Sequence, residues 1–203
     1  MSLFRRRSGD ASAGDRWIVF CLGNPGEDYA RTRHNAGVMV LAELLQRTGM
    51  KLKSHKSGCL IAETDLDGHK VVLARSTTFM NESGRPLGQL LRWYKAGTNM
   101  LIIVHDEIDI PFGEVRIKTE GGTAGHNGLK SIAMHLGTKD FTRVRVGASR
   151  PRGQKQAADH VLSEFSAAER KELPEVIGRA ADAVETIVSK GTERAMNTYN
   201  TRA

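Results

Sequence analysis

The chain has 203 residues, 39% hydrophobic and 26% charged, the composition of an ordinary globular protein with one continuous core. No apolar run approaches the ~18 residues a membrane span needs, and the two cysteines, Cys21 and Cys59, lack the number for a disulfide framework and the spacing for zinc, which predicts a reducing, cytoplasmic setting. Thirty Lys and Arg against 23 Asp and Glu leave a formal charge of +7, which suits a polyanionic partner and equally suits a merely basic surface.

Residues 1–15 mix three consecutive arginines with Gly, Ser and Ala and show no periodicity, so a disordered tail is expected, with one folded domain over residues 16–203. Arg16–Leu22 reads as a strand buried on both faces that stops at Gly23-Asn24-Pro25-Gly26. Apolar residues recur at helical spacing through Val38–Thr48, closed by Gly49. Cys59–Thr64 and Lys70–Ala74 flank Asp67-Gly68, a tight-hairpin dipeptide. Leu87, Leu90, Leu91 and Tyr94 mark a helix ending near Gly97, and Met100–Val104 is a further buried strand running into His105-Asp106-Glu107. Val115–Lys118 is a short strand before a Gly-rich loop, and Leu129, Ile132, Ala133 and Leu136 give the next helix its apolar face. Around Phe141–Ala148 the residues alternate, with Arg143 and Arg145 on one face. A long helix follows over Ala167–Ser189, in which Pro174 marks a break or a first turn.

Strands alternating with helices predict a single-domain α/β sandwich of three layers, with a twisted, mixed, largely parallel sheet and helices on both faces. In such sheets ligands gather at the carboxyl ends of the strands. Three polar clusters lie in or beside strand-to-helix connections, and one shared cleft is the economical arrangement: Gly23–His34, His105–Asp109 and Gly121–Asn127.

Gly and Asn in the first cluster tolerate unusual backbone angles, and a tight loop capped by Asn24 and Asn35 would look the same. The second offers an imidazole and three carboxylates, and a carboxylate at a strand end can orient a histidine from another loop. Asp106, Glu107 and Asp109 point to alternating sides of an extended chain, which makes a poor single-metal cage. The third cluster fits neither phosphate-loop template. The chain has no nucleophile elbow, no zinc-protease pair and no cysteine with a nearby histidine, so attack by an activated water remains. The residues alone do not choose among His34, His105 and His126 as the base.

In this order and spacing, L-G-N-P-G, Y-A-R-T-R-H-N-A-G, T-F-M-N-E-S-G, H-D-E-I-D-I-P-F-G, G-H-N-G-L-K-S-I and R-V-R-V-G resemble the bacterial peptidyl-tRNA hydrolases, from about Trp17 to the C-terminus. The resemblance implies a monomeric, cytoplasmic enzyme acting on peptidyl-tRNA without cofactor or metal and without an obligate protein partner. It implies His34 as catalytic base and Asp106 as its orienting partner. Asn24, Asn81 and Asn127 would hold the peptide and the 3′-terminal nucleotide, with Tyr29 and Met80 lining the channel and His126 beside it. Lys118 and Arg145 would clamp the tRNA 5′-phosphate. Cys21, Ser76, Glu120 and Ala124 depart from the family pattern, Glu120 and Ala124 at positions usually glycine. Two rivals stay open: an RNA-binding module without activity, and a metal-dependent peptidase or nuclease using His105, Asp106 and Asp109.

Overall fold

The computed structural model describes residues 16–151 and 156–201, so the tail expected over residues 1–15 lies outside the described residues. Seven strands form one mixed sheet in the order β2-β3-β4-β1-β5-β7-β6. They are β1 (Arg16–Cys21), β2 (Lys53–His55), β3 (Cys59–Leu66), β4 (His69–Ser76), β5 (Leu101–Glu107), β6 (Val115–Lys118) and β7 (Thr142–Gly147). The pairings β4–β1, β1–β5 and β5–β7 are parallel, and the antiparallel pairs β2–β3, β3–β4 and β6–β7 close the two sides. Parallel order is therefore confined to the central four strands, whose apolar runs Ile18–Cys21, Val71–Ala74 and Leu101–Val104 are buried on both faces.

Local chemistry explains the elements. Asp67 and Gly68 both have positive φ, 51° and 83°, as a two-residue turn between right-twisted strands requires. Helix α1 (Ala36–Thr48) ends on Gly49 in the left-handed region. The helices α2 (Gly84–Tyr94) and α3 (Asn127–Leu136) cover one face of the sheet, where Leu87, Leu90, Leu129 and Ile132 meet Phe20 and Ile103. The other face packs Val19, Val104 and Val144 against α1, α5 (Ala167–Lys190) and α6 (Thr192–Tyr199). A five-residue helix, α4 (Ala157–Val161), precedes α5. Pro174 marks neither a break nor the first turn: α5 runs through it in its third turn, anchored at its start by a Ser166–Glu169 capping box.

Three departures from the sequence reading matter for the site. β5 continues through His105, Asp106 and Glu107, all buried, so these residues belong to the strand and do not begin a loop. β2 and α4 are further elements that periodicity did not reveal. Gly37 lets α1 start directly on the strand ends: a Cβ there would run into the Val104 and Leu22 carbonyls. That close approach sets the turn preceding α1, which carries His34, above the end of β5.

Candidate active site

The carboxyl ends of β1, β4 and β5 lie at the same end of the sheet, and Asp106 is the last residue but one of β5 there. Its Oδ1 accepts from His34 Nδ1 at 2.9 Å and from His126 Nε2 at 3.1 Å. Burial opposes charge on this carboxyl, yet the two imidazoles overcome it and hold the group well below the usual carboxylate range. An ionised carboxylate only accepts, so His34 carries its proton on Nδ1 and keeps the Nε2 lone pair. His34 and His126 rings stand 4.7 Å apart, and the cavity they share with Asp106 and Asn127 holds about 270 Å³. Its apolar lining comes from Ile108 and from Ala157, Ala158 and Val161 of α4.

His126 is fixed from behind as well. It caps α3, its Nδ1 accepting from the N–H groups of Gly128 and Leu129 at 3.1 and 3.4 Å. Accepting there leaves the proton on Nε2, directed at Asp106. One polar atom from each of His34, Asp106 and His126 lies within 4.8 Å of the others, a spacing that could hold a cation. A cation would have to displace both N–H donors from Asp106, so the donor set fits a hydrogen-bonded carboxylate better than a metal cage.

His105, the third candidate base, is excluded by its surroundings. It is fully buried, its Nδ1 meets the Asp106 carbonyl oxygen at 2.6 Å, and its Nε2 has no partner among the described residues. Burial first, and the neighbouring His126 second, push its pKa well below the ordinary histidine value. It packs edge-on against the His126 ring, 4.9 Å away.

The asparagines divide. Asn35, read with Asn24 as capping a tight loop, makes no helix-cap bond; its amide brackets Asn24 across the loop, accepting from Asn24 N–H at 2.8 Å and donating to Asn24 O at 3.0 Å. Asn24 Oδ1 accepts from Met80 N–H at 2.8 Å, which fixes the amide and leaves its NH₂ group as the free end. Met80 is buried, with its sulfur over Gly128 at the start of α3. Tyr29 meets exposed Phe79 edge-to-face at 6.2 Å. Asn81 and Asn127 are exposed. Thus Asn127 lines the cavity with the two histidines, Met80 ties Asn24 to the start of α3, Asn81 follows Met80 in the chain, and Tyr29 lies against Phe79.

Lys118 and Arg145 lie on the β6–β7 ribbon, and Arg145 adjoins the cavity through Glu107, which lines it. In the antiparallel register Arg116 faces Arg145 and Lys118 faces Arg143, placing four cations on one face of the β6–β7 ribbon. Arg145 is held by Glu107, with Nη2 at 3.0 Å and Nε at 3.3 Å, and does not stand free. Arg143 shares the face of Arg145, as the alternation in β7 predicts, and it is 2% exposed. Its guanidinium reaches Gly122 O at 2.7 Å, Gly121 O at 2.8 Å and Lys139 O at 3.0 Å. A charged residue spaced for the surface carries no sequence signal of this inward role. Arg33, beside His34, is likewise buried and donates to the Ser163 and Glu164 carbonyls and to Glu169, bracing the His34 turn against the segment after α4.

Comparison with known proteins agrees with this geometry. The family model described as peptidyl-tRNA hydrolase matches residues 18–203. The peptidyl-tRNA hydrolase of Frankia casuarinae is 53% identical over 91% of this chain and 93% of its own, and that of Kineococcus radiotolerans is 48% identical over 93% and 99%. The crystal structure of the peptidyl-tRNA hydrolase from Acinetobacter baumannii superposes with a TM-score of 0.86 at 33% identity, covering 96% of this chain and 98% of that one. Motif order, fold and whole-chain similarity converge: the chain belongs to the peptidyl-tRNA hydrolase family.

Proposed function

We propose that the protein hydrolyses the ester between the peptide and the 3′-terminal ribose of peptidyl-tRNA by direct attack of a water that His34 deprotonates. The observation that carries this reading is the 2.9 Å bond from His34 Nδ1 to the buried Asp106 carboxylate, which leaves Nε2 as a base at the cavity. Water oxygen bonds to the ester carbonyl carbon while its proton passes to His34 Nε2. Collapse of the tetrahedral intermediate breaks the bond to the ribose 3′-oxygen, which takes the proton back and leaves as free tRNA. Asp106 stabilises the imidazolium formed between the two transfers.

The oxyanion needs a donor, and the Asn24 NH₂ group is the amide whose orientation the fold fixes, through Met80 N–H on its oxygen. In this reading Asn81 and Asn127 hold the peptide and the terminal nucleotide, with Tyr29 and Met80 along the channel and His126 keeping Asp106 in line. Lys118 and Arg145 hold the 5′-phosphate. The centre is assembled within one chain, which supports a monomer as the acting unit, and the two buried free thiols suit the cytoplasm.

The test is to incubate chelator-treated protein with peptidyl-tRNA and with aminoacyl-tRNA. Release of free tRNA from the first, with the second largely spared, is expected. Loss of activity on chelation would move the reading to a metal-dependent hydrolase, and tight binding of both substrates without cleavage would leave an RNA-binding module.

A further inference from the structure

The sheet edge opposite the β6–β7 ribbon carries a basic surface of its own. His55, the last residue of β2, pairs with Cys59, and Cys59 pairs with Ser76 at the end of β4, so the turn after β2 lies at the same end of the sheet as the catalytic cavity. Four strand positions separate β2 from β5, roughly 19 Å, which sets this surface apart from the cavity. The turn faces the end of α2, and between them His55, Lys56, Ser57, Gln89, Arg92 and Trp93 line a cleft of about 350 Å³.

The charge here is one-sided. The sequence has no acidic residue between Glu43 and Glu63 or between Glu82 and Asp106. These two segments place Lys53, Lys56, Arg92 and Lys95 on β2, its turn and the end of α2, all exposed and none within ion-pair distance of a carboxylate among the described residues. Glu63 of β3 is already taken, by Arg16 at 3.2 Å and by the Tyr94 hydroxyl.

Among these cations stands a large aromatic ring that the core does not cover: Trp93 is 52% exposed. It is nonetheless held. The His55 ring stacks on Tyr94 and turns edge-on to Trp93, with centroids 5.5 Å apart, and His55 is itself fixed by Ser57 N–H on its Nδ1 at 3.2 Å. The Lys56 ammonium lies 3.5 Å from the centre of the Trp93 ring, so an electron-rich face is open on that side. A fixed aromatic face flanked by unpaired cations is the combination that holds single-stranded nucleic acid, whose bases stack on the ring while its phosphates meet the charges. A duplex keeps its bases stacked on one another, and an acidic peptide answers the cations but puts no base on the ring.

We infer that the cleft between the β2 turn and the end of α2 is a binding site for single-stranded RNA, separate from the catalytic cavity, in which a base stacks on Trp93 and the adjoining phosphates are received by Lys56 and Arg92. Lys56 yields the ring to the base and turns to the phosphate. None of these residues lines the cavity, so the site stands whether or not the reaction proposed above is the right one.

The experiment titrates the full-length protein with a single RNA strand of about eight nucleotides, with the same sequence as a duplex, and with a polyglutamate peptide of equal charge, and reads tryptophan fluorescence. The chain's other tryptophan, Trp17, packs against the core, so Trp93 dominates the change. The single strand is expected to quench the signal and to bind about fivefold or more tightly than the duplex. Anisotropy of the labelled strand then follows the variants. Trp93→Ala is expected to weaken single-strand binding about tenfold, within the range of base–aromatic stacking, and to leave duplex binding unchanged. Lys56→Ala and Arg92→Ala should each lower the salt slope by about 0.7, the value of one phosphate contact on a single strand. All three side chains are exposed, so the melting temperature should hold in every variant. Equal affinity for strand and duplex with the fluorescence unmoved, or single-strand binding that survives Trp93→Ala, overturns the inference and leaves a merely basic surface. Quenching by polyglutamate at the affinity of RNA overturns it as well, and makes the cleft a dock for an acidic peptide.

Discussion

The two polar regions of this molecule are built on opposite principles. Around Asp106, imidazole N–H groups and backbone amides satisfy one another in a buried set, and little can move without leaving a donor or acceptor unpaired. Along β6–β7 the groups are cationic, and Lys118 stands exposed without an answering carboxylate among the described residues. The first arrangement preorganises a proton transfer; the second attracts and places a polyanion. The contrast predicts that damage to the first appears in kcat and damage to the second in KM and salt dependence.

The largest effect is expected from His34→Ala, which removes the base from a site with no nucleophile to replace it. Turnover should fall by roughly 10²–10⁴, the usual worth of general-base catalysis, with the melting temperature little changed. Activity within a few-fold of wild type would sink the assignment. Asp106→Asn comes next, at about 10²-fold in kcat, because it removes the negative charge that stabilises the imidazolium and, with the amide turned the other way, would face the two imidazoles with N–H donors. Peptidyl-tRNA KM should hold steady, and an effect confined to KM would break the division between the regions.

Lys118→Ala tests the other side. Loss of one phosphate contact should raise KM on full-length peptidyl-tRNA about tenfold and lower the salt slope by roughly one unit. Arg145→Ala should do less, because its charge is already met by Glu107. A short N-acyl-aminoacyl nucleotide has the scissile ester and lacks the distant phosphate, so the loss should concentrate on the long substrate. Equal loss on both would mean that these residues support the catalytic centre and that the two regions are not separate.

Much of this division was legible before any coordinates. The Asp67-Gly68 hairpin, the apolar β1 and β5, and the His34 and Asp106 clusters at strand ends all follow from turn chemistry and periodicity. β2 was not legible, since three residues at an exposed edge carry too short a pattern. Nor was Arg143: alternation in β7 separates faces but does not say that one of the two arginines is roofed by a loop from elsewhere in the chain. The His126 cap escaped for another reason. An imidazole is an uncommon N-cap, and only the Gly128 and Leu129 N–H groups on its Nδ1 identify the tautomer.

His105 offers a smaller, pH-dependent test of the buried region. Its pKa is depressed in the folded protein, so the unfolded chain binds the extra proton first. The stability it permits is complete above its unfolded value near 6.5 and is lost as pH falls from there toward the folded value. One proton taken up on unfolding corresponds to a slope of up to about 1.4 kcal/mol per pH unit. A His105→Asn variant should therefore show a flatter fall in stability between about pH 6.5 and 5, even if it is less stable at pH 7. Asp106 does not confuse this window, because its depressed pKa makes its own contribution fail only at lower pH, below the ordinary carboxylate value. An identical slope in the variant would show that His105 is not the group responsible.

The smallest effect concerns the turn that delivers His126. His126 N–H donates to Thr123 O at 2.8 Å, and the two residues between, Ala124 and Gly125, have φ of 46° and 81°. Positive φ at both central positions is the pattern of a type I′ turn, which favours Asn, Asp or Gly at the first and Gly at the second. Alanine at the first position holds a left-handed conformation that costs a residue with a Cβ roughly 1 kcal/mol. Ala124→Gly removes that strain but gives the unfolded chain more freedom, worth about 0.5–1 kcal/mol in the other direction. Ala124→Asn keeps a side chain suited to the left-handed region and adds less freedom, so it is the better replacement. The asparagine variant should gain up to about 1 kcal/mol in denaturant unfolding, and the glycine variant should lie between it and wild type. Both keep the turn that holds the His126 cap, so His126 Nε2 should still reach Asp106. A loss of stability in both variants would mean that the Ala124 methyl group, which lines the cavity, contributes more by packing than its backbone gives up in strain.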